Sequence, residues 1–351
     1  MTSDMRGIQA DKLRDYCSRL FEKEGVPAGE AFIIADSLVE ADLAGVESHG
    51  VSRVANYLKK LRAGGAHPAV KLKTIMDGPG TGVYDAGDSM GAPAAYNVME
   101  IAIEKAKKVG IAFVTVINSS HYGTAGYFAK MALTHDMIGL TATNSVSTMA
   151  PWGGKAPFFG TNPFAVAIPA QKHSAIVADM ATSVVARGKI RMAFKKNQPI
   201  PLGWARSQDG EDTTDAGVAL KGTVLPFGGY KGSAIATIIE ALTGVLGGSV
   251  FGTQITGMDK AESPARVSHC FMAIDLARFG PVGEFKKRVD QMIAGIKGTP
   301  RAKNVEEIFL PGEIEERKKQ QRLKDGIPLA RVTLDELKRE GAACGITYTL
   351  E

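Results

Sequence analysis

Three cysteines in 351 residues, Cys17, Cys270 and Cys344, are too few and too widely spaced for a disulfide framework, and no CxxC pair hints at a zinc ribbon. That scarcity suits a reducing compartment, so a cytoplasmic location is expected. Charge of one sign is lacking as well. Lys+Arg number 42 and Asp+Glu 37, leaving a net charge of +5, and no dense basic stripe is available for nucleic-acid phosphates. The opening Met1-Thr-Ser-Asp-Met-Arg6 carries no apolar signal region. The most membrane-like stretch, 234–252, is interrupted by Glu240 and several glycines, and it reads as a buried helix followed by a loop. Repeats of 20–50 residues and low-complexity linkers are missing. So are HExxH, GxSxG and the GxGxxG dinucleotide fingerprint, and no metal-ligand spacing occurs.

What is present is a chain of 37.2 kDa, 44% hydrophobic and 23% charged, with 40 glycines and 16 prolines. It can bury a large core in two or three sub-domains, which excludes disorder and fibrous architectures. Leu13, Tyr16, Cys17, Leu20 and Phe21 fall at helical spacing, and Gly25 closes that helix. A second helix is predicted over 29–44 with Phe32, Ile33, Leu38 and Val39 inward, and a third from Ser48 to Gly64-Gly65. After Pro68 the pattern turns to short apolar runs between helices. Strands are predicted at 82–87, 111–118, 137–143, 163–169, 175–181 and 267–274, with helices at 92–109, 124–135, from Ser183, and at 232–246. From Gly283 the tail is mostly charged helix. This is a mixed α/β pattern.

Five constellations could carry chemistry. In Glu47-Ser-His-Gly-Val-Ser-Arg53 and on to Tyr57, Ser48 is a good N-cap, and His49, Arg53 and Tyr57 then recur every four residues on one helical face. A proton-transfer group, a fixed cation and a phenol on one face suit a 2-hydroxy or 2-oxo acid. Arg holds a carboxylate with two hydrogen bonds and His exchanges the alcohol proton. The same spacing equally describes a capped helix with a surface arginine and a half-buried tyrosine. Ser119-Ser-His-Tyr-Gly-Thr-Ala-Gly126 places His121 where a strand feeds a helix start, a usual ligand position in α/β sheets, although a plain polar loop reads as well. Pro226-Phe-Gly-Gly-Tyr-Lys-Gly-Ser233 invites comparison with a phosphate loop, but Gly232 separates Lys231 from Ser233 and spoils GxxxxGK[ST]. A backbone nest with one lysine could still meet an anion, and a tight turn is the alternative. The fourth is the loop of Trp152-Gly-Gly154 and Phe159-Gly-Thr-Asn-Pro163; the fifth is Asp179-Met-Ala-Thr-Ser183 at a strand-to-helix junction. His67, His135, His173 and His269 have no recognisable partners and read as structural.

Taken together and in order, these segments, with Asn144-Ser145, Ala150-Pro-Trp-Gly-Gly154 and Leu310-Pro-Gly-Glu313, resemble the malate/L-lactate dehydrogenase family that lacks a Rossmann fold. Its relatives include sulfolactate, ureidoglycolate and diketogulonate oxidoreductases and piperideine-carboxylate reductases. The resemblance covers almost the whole chain. It implies an α/β fold with a non-Rossmann, mixed and largely antiparallel sheet for the cofactor (76–282), packed on a helical domain built from both chain ends (1–75 and 283–351). It implies metal-independent hydride transfer between NAD or NADP, NAD being preferred, and a small 2-hydroxy/2-oxo acid of malate, lactate or sulfolactate type. A homodimer or larger assembly is expected, with no nucleic-acid or membrane partner.

Carried over position by position, the resemblance makes His49 the proton donor/acceptor and Ser48 its relay neighbour, with His121 a second histidine that could act as the base or face the cofactor. Arg53 anchors the substrate carboxylate, with Tyr57 and Thr161 beside the substrate. Ser145, Asp179, Met180, Ala181, Lys231, Gly312 and Glu313 match cofactor-side positions. In one place the chain departs from the imine-reducing branch, which carries an acid after the glycine where this chain has Gly188-Lys189. A cation there suits a second negative charge on the substrate; a solvated helix lysine is the other reading. The alternatives are an NADPH-dependent cyclic imine reductase and a non-catalytic nucleotide-binding protein.

Overall fold

The computed structural model describes residues 6–258 and 260–350. The first five residues, read above as lacking an apolar signal region, lie outside this range. The chain opens with β1 (Arg6–Ile8), α1 (Ala10–Lys23), α2 (Ala28–Leu43) and α3 (Val54–Arg62). Leu13, Leu20 and Phe21 of α1 are fully buried, as their spacing dictates. On α2 the inward stripe is Ala31, Ile34, Ala35 and Leu38, whereas Phe32, expected inward, is 51% exposed. Phe32 falls with Asp36 on the adjoining helical face, off that stripe.

The middle of the chain forms β2 (Lys73–Asp77), β3 (Thr81–Asp85), α4 (Gly91–Val109), β4 (Ile111–Ser119), α5 (Ala125–Ala129), β5 (Met137–Thr143), β6 (Phe164–Ile168), β7 (Ile176–Met180) and α6 (Arg187–Lys195). Next come β8 (Ala205–Arg206), β9 (Asp212–Thr213), α7 (Ala216–Lys221), β10 (Thr223–Val224), α8 (Tyr230–Glu240) and β11 (Val267–Asp275). The chain closes with α9 (Val282–Lys297), α10 (Glu313–Asp325), β12 (Ile327–Leu329) and α11 (Arg331–Ala343).

A seven-stranded sheet runs β2-β3-β4-β11-β5-β6-β7. β3 and β4 pair in parallel, and the other neighbours are antiparallel. The parallel pair needs a crossover, which α4 supplies. Side chains alternate between two cores. Val114 and Phe271 join the large cluster under the N-terminal helices and α4, while Phe113 and Cys270 join Ile239 of α8 on the opposite face. Burying Phe271 and Phe128 contributes about 1.5–3 kcal/mol each. β2 escaped sequence reading because it is an edge strand exposed along its whole length, with no alternation to detect. The small sheet β10-β8-β9 escaped because its strands have two residues each.

Both chain ends meet at the antiparallel pair β1–β12. Gly7 is required there, since a Cβ would lie 2.4 Å from the Asp325 carbonyl oxygen. Leu334 and Leu337 of α11 join the core of α1–α3. Helix α9 instead buries Val289 and Ile293 against Ile168 and Ile176 at the sheet edge. No helix among the described residues is long and apolar enough to cross a membrane.

Candidate active site

The predicted third helix does not begin at Ser48. Two single 3₁₀ turns, Glu47–His49 and Val51–Arg53, precede α3, and Gly50 between them is extended. Ser48 is therefore not its N-cap, and His49, Arg53 and Tyr57 do not share one helical face. The cause is Asp42 near the end of α2. Its carboxylate is buried and accepts the Val51 N–H at 2.7 Å. The Gly50 backbone lies so close that a Cβ would stand 1.9 Å from Asp42 Oδ1. A helix through 48–53 would lose that bond and bury the carboxylate without a donor. Burial pushes the Asp42 carboxyl up to about 7, against the pull of the Val51 N–H; nearby Glu47 raises it further and Arg322 lowers it. Arg322 of α10 also donates to the Asp42 carbonyl and, at 2.6 Å, to Glu47. Asp42 could have been suspected from sequence, as a charge four residues after Leu38 on an apolar face.

The broken segment still brings the expected residues together. Ser48 Oγ lies 2.9 Å from His49 Nδ1, and Arg53 Nε donates to the Ser48 carbonyl at 2.6 Å. The His49 ring stacks on the His121 ring, with centroids 5.5 Å apart and an interplanar angle of 21°. Tyr57 OH lies 2.6 Å from His121 Nδ1, which also accepts the Gly123 N–H at 3.3 Å. Burial, helped by the Arg53 charge, lowers the His49 pKa to about 4. Burial lowers His121 well below the ordinary imidazole value, and His49 and Arg53 add to the effect. Both rings are therefore neutral near pH 7. His269, read as structural, is wholly buried behind them, between Thr143 Oγ1 at 2.7 Å and Ser119 Oγ at 2.9 Å.

A second group gathers at the ends of β5, β6 and β7. The Ser145 N–H donates to Asn162 Oδ1 at 3.1 Å, and Thr161 offers its carbonyl to the Thr182 N–H and hydroxyl. Asp179, at the end of β7, accepts the Gly126 N–H at 2.8 Å, which joins this group to the His121 segment. Met180 beside it is exposed, and Ala181 is half-buried. Glu240, noted in the sequence only as a charge in an apolar run, is buried beneath Asn144 and Asn162.

The glycine turn before Lys231 joins the second group, since the Phe227 N–H donates to the Thr182 carbonyl at 3.0 Å. Lys189 is exposed on α6, and Lys231 is exposed in the first turn of α8, after Gly228 and Gly229, both at positive φ. Gly312 has φ +90 and packs on the Val177 backbone, while Glu313 accepts the Leu310 N–H and pairs with Lys297 at 2.9 Å. The Glu313 carboxylate is thereby occupied in holding its own turn. Among the described residues no group of three His, Cys, Asp or Glu could hold a metal ion.

Comparison with known proteins identifies the family that the whole chain resembles. A family model described as malate/L-lactate dehydrogenase matches residues 8–338. L-sulfolactate dehydrogenase from Methanocaldococcus jannaschii is 41% identical over 319 residues, covering 91% of this chain and 92% of that protein. Malate dehydrogenase from Pyrococcus horikoshii is 38% identical over 347 residues, covering 97% and 96%. The solved structure of the Methanocaldococcus jannaschii sulfolactate dehydrogenase superposes with a TM-score of 0.92 at 39% identity, covering 97% of this chain and 98% of that one.

Proposed function

Because the chain belongs to the malate/L-lactate dehydrogenase family, we propose that it transfers a hydride between a nicotinamide cofactor and C2 of a small 2-hydroxy/2-oxo acid of the sulfolactate or malate type. The observation that carries this reading is the convergence of Arg53, His49, His121 and Tyr57. Arg53 uses Nε on the Ser48 carbonyl, which leaves its two terminal nitrogens for a substrate carboxylate. A neutral His49 takes the alcohol proton during oxidation and returns it during reduction. His121 holds the substrate oxygen through Nε2–H.

The donor chemistry on the cofactor side fits NAD(P). Lys231 adds a cation to the N-terminal end of α8, where backbone N–H groups and the helix dipole favour phosphate. Ser145 and Asp179 offer a hydroxyl and a carboxylate for the remaining polar groups. When bound, the cofactor supplies the carbon that accepts or releases the hydride. NAD is placed ahead of NADP. A homodimer or larger assembly is part of this reading, supported by exposed Trp152, Tyr230 and Ile238 at 60%, 62% and 56%, a heavy apolar load for open solvent. A cytoplasmic location is part of it too.

Lys189, which the family resemblance assigns to the substrate side, would suit a distal carboxylate or sulfonate, and its charge disfavours the imine-reducing alternative. The intact histidine pair and Arg53 disfavour a non-catalytic binder. Fluorescence titration with NADH and NADPH, followed by assay on malate, lactate, sulfolactate, ureidoglycolate and piperideine-2-carboxylate, tests the proposal. Turnover confined to the imine, or binding of neither cofactor, overturns it.

A further inference from the structure

We propose that Glu240 is the positioning residue of the cofactor side, setting the Ser145 loop by fixing which way two buried asparagine amides point. This rests on the dehydrogenase reading above, in which Ser145 faces the cofactor.

Glu240 ends α8, where the helix widens into a π turn over Ala241–Val245, a distortion that often accompanies functional sites. Its side chain is buried among donors. Oε1 accepts Asn162 Nδ2 at 3.0 Å; Oε2 accepts Asn144 Nδ2 at 3.2 Å and the Gly252 N–H at 3.4 Å. A carboxylate is acceptor-only, so both amide NH₂ groups must turn toward it. Both amide oxygens then turn away, each onto a backbone N–H: Asn162 Oδ1 onto Ser145 at 3.1 Å, and Asn144 Oδ1 onto Ser268 at 2.8 Å.

Glu240, joined at Asn162 Nδ2 by the Ala236 carbonyl at 3.4 Å, thus sets the polarity at both ends of the β5–β6 connection. Asn162 sits at φ +27, a conformation in which asparagine and aspartate are enriched over other side chains. The loops touch closely, since a Cβ on Gly160 would lie 2.0 Å from Ser145 Oγ. A turned Asn162 amide would press NH₂ against the Ser145 N–H and displace Ser145. Glu240 touches none of the histidine cluster's hydrogen bonds, so its effect should reach cofactor binding before proton transfer.

The test uses the full-length protein and NADH and NADPH as probes. Glu240→Gln keeps the shape but puts one donor among three donors. NAD(P)H Kd and KM should rise at least about tenfold, the effect of one mismatched buried hydrogen bond, with kcat at saturating cofactor within about twofold. Asn162→Asp alone should also weaken binding, because it sets two carboxylates face to face. Combining E240Q with N162D restores complementarity toward residue 240 and Ser145, losing only the long 3.4 Å bond to the Ala236 carbonyl: the glutamine amide donates to the new carboxylate, whose other oxygen accepts the Ser145 N–H. The Kd of this double variant should return to within about threefold of wild type.

A folded Glu240→Gln protein with unchanged Kd, its loss confined to melting temperature, makes Glu240 purely structural and overturns the proposal. So does a double variant that fails to fold or to regain binding. If Glu240→Gln alone does not fold, the double variant decides. A wild type that binds neither cofactor removes the dehydrogenase reading, and this inference with it, whereas wild-type binding with an indifferent Glu240→Gln removes this inference alone.

Discussion

Tyr57 holds its hydroxyl 2.6 Å from His121 Nδ1, on the same nitrogen that takes the Gly123 N–H. Burial raises the Tyr57 pKa, so the phenol keeps its proton. A nitrogen accepting a backbone N–H carries no hydrogen of its own, so Tyr57 is the donor and the proton of His121 is on Nε2. His121 therefore presents N–H, and His49 is left as the ring able to accept a proton. Tyr57→Phe should lower kcat by roughly tenfold or more by freeing the His121 tautomer. Steady-state rates with NAD(P)H binding unchanged would show it; a wild-type kcat would refute the tautomer argument.

His49→Ala should reduce kcat by roughly 10²–10⁴, the usual contribution of a general acid/base, with the cofactor still bound. In wild-type enzyme the acid limb of kcat/KM for hydroxyacid oxidation should lie well below 6.5, toward about 4, because a base works above its pKa and burial has lowered this one. A near-wild-type rate for His49→Ala, with loss in His121→Ala, would reverse the two roles.

Arg53→Lys should cut kcat/KM by at least about tenfold, or ~1.4 kcal/mol of transition-state stabilisation. A lysine has one nitrogen and cannot both hold the Ser48 carbonyl, as Arg53 Nε does, and fork onto a carboxylate. NAD(P)H titration of the same variant should be unchanged. Weakened cofactor binding with an intact substrate KM would move Arg53 to the cofactor side.

Asp42 makes stability depend on pH. Its folded pKa is raised from 3.8 to about 7, so between those values the folded chain binds a proton the unfolded chain does not. The stability that this protonation contributes is full below 3.8 and is lost as pH rises through 7. Asp42→Asn does not titrate. Its stability relative to wild type should rise by about 1.4 kcal/mol per pH unit between roughly pH 5 and 7 and level off above. Urea unfolding of both proteins at several pH values across and beyond that window measures this; a constant difference would show that Asp42 is not shifted.

Activity should survive EDTA, since proton transfer and carboxylate binding are assigned to side chains. Loss restored by zinc or magnesium would contradict that assignment.

Local order was legible wherever one face of an element is buried. The strand predicted at 137–143 is β5 to the residue, and α4 and β4 match their expected spans within a residue, because burial imposes a period that sequence displays. The grouping of Ser48, His49, Arg53, Tyr57 and His121 was legible too, from motif order and resemblance. The backbone that groups them is not the single helix their spacing predicts. Spacing suggested one helix from Ser48, and the fold substitutes two 3₁₀ turns because Asp42 claims the Val51 N–H from another element. Hydrogen bonds between residues far apart in the chain leave no period behind, so the Tyr57–His121 contact, the Glu240 network and the clamp of Arg322 on Asp42 and Glu47 existed only once the chain was folded. Sequence by itself determined which chemical groups are available and which faces are apolar. Tertiary structure decided which buried donors meet which acceptors, because a polar group removed from water must find its partner wherever the packed chain places one.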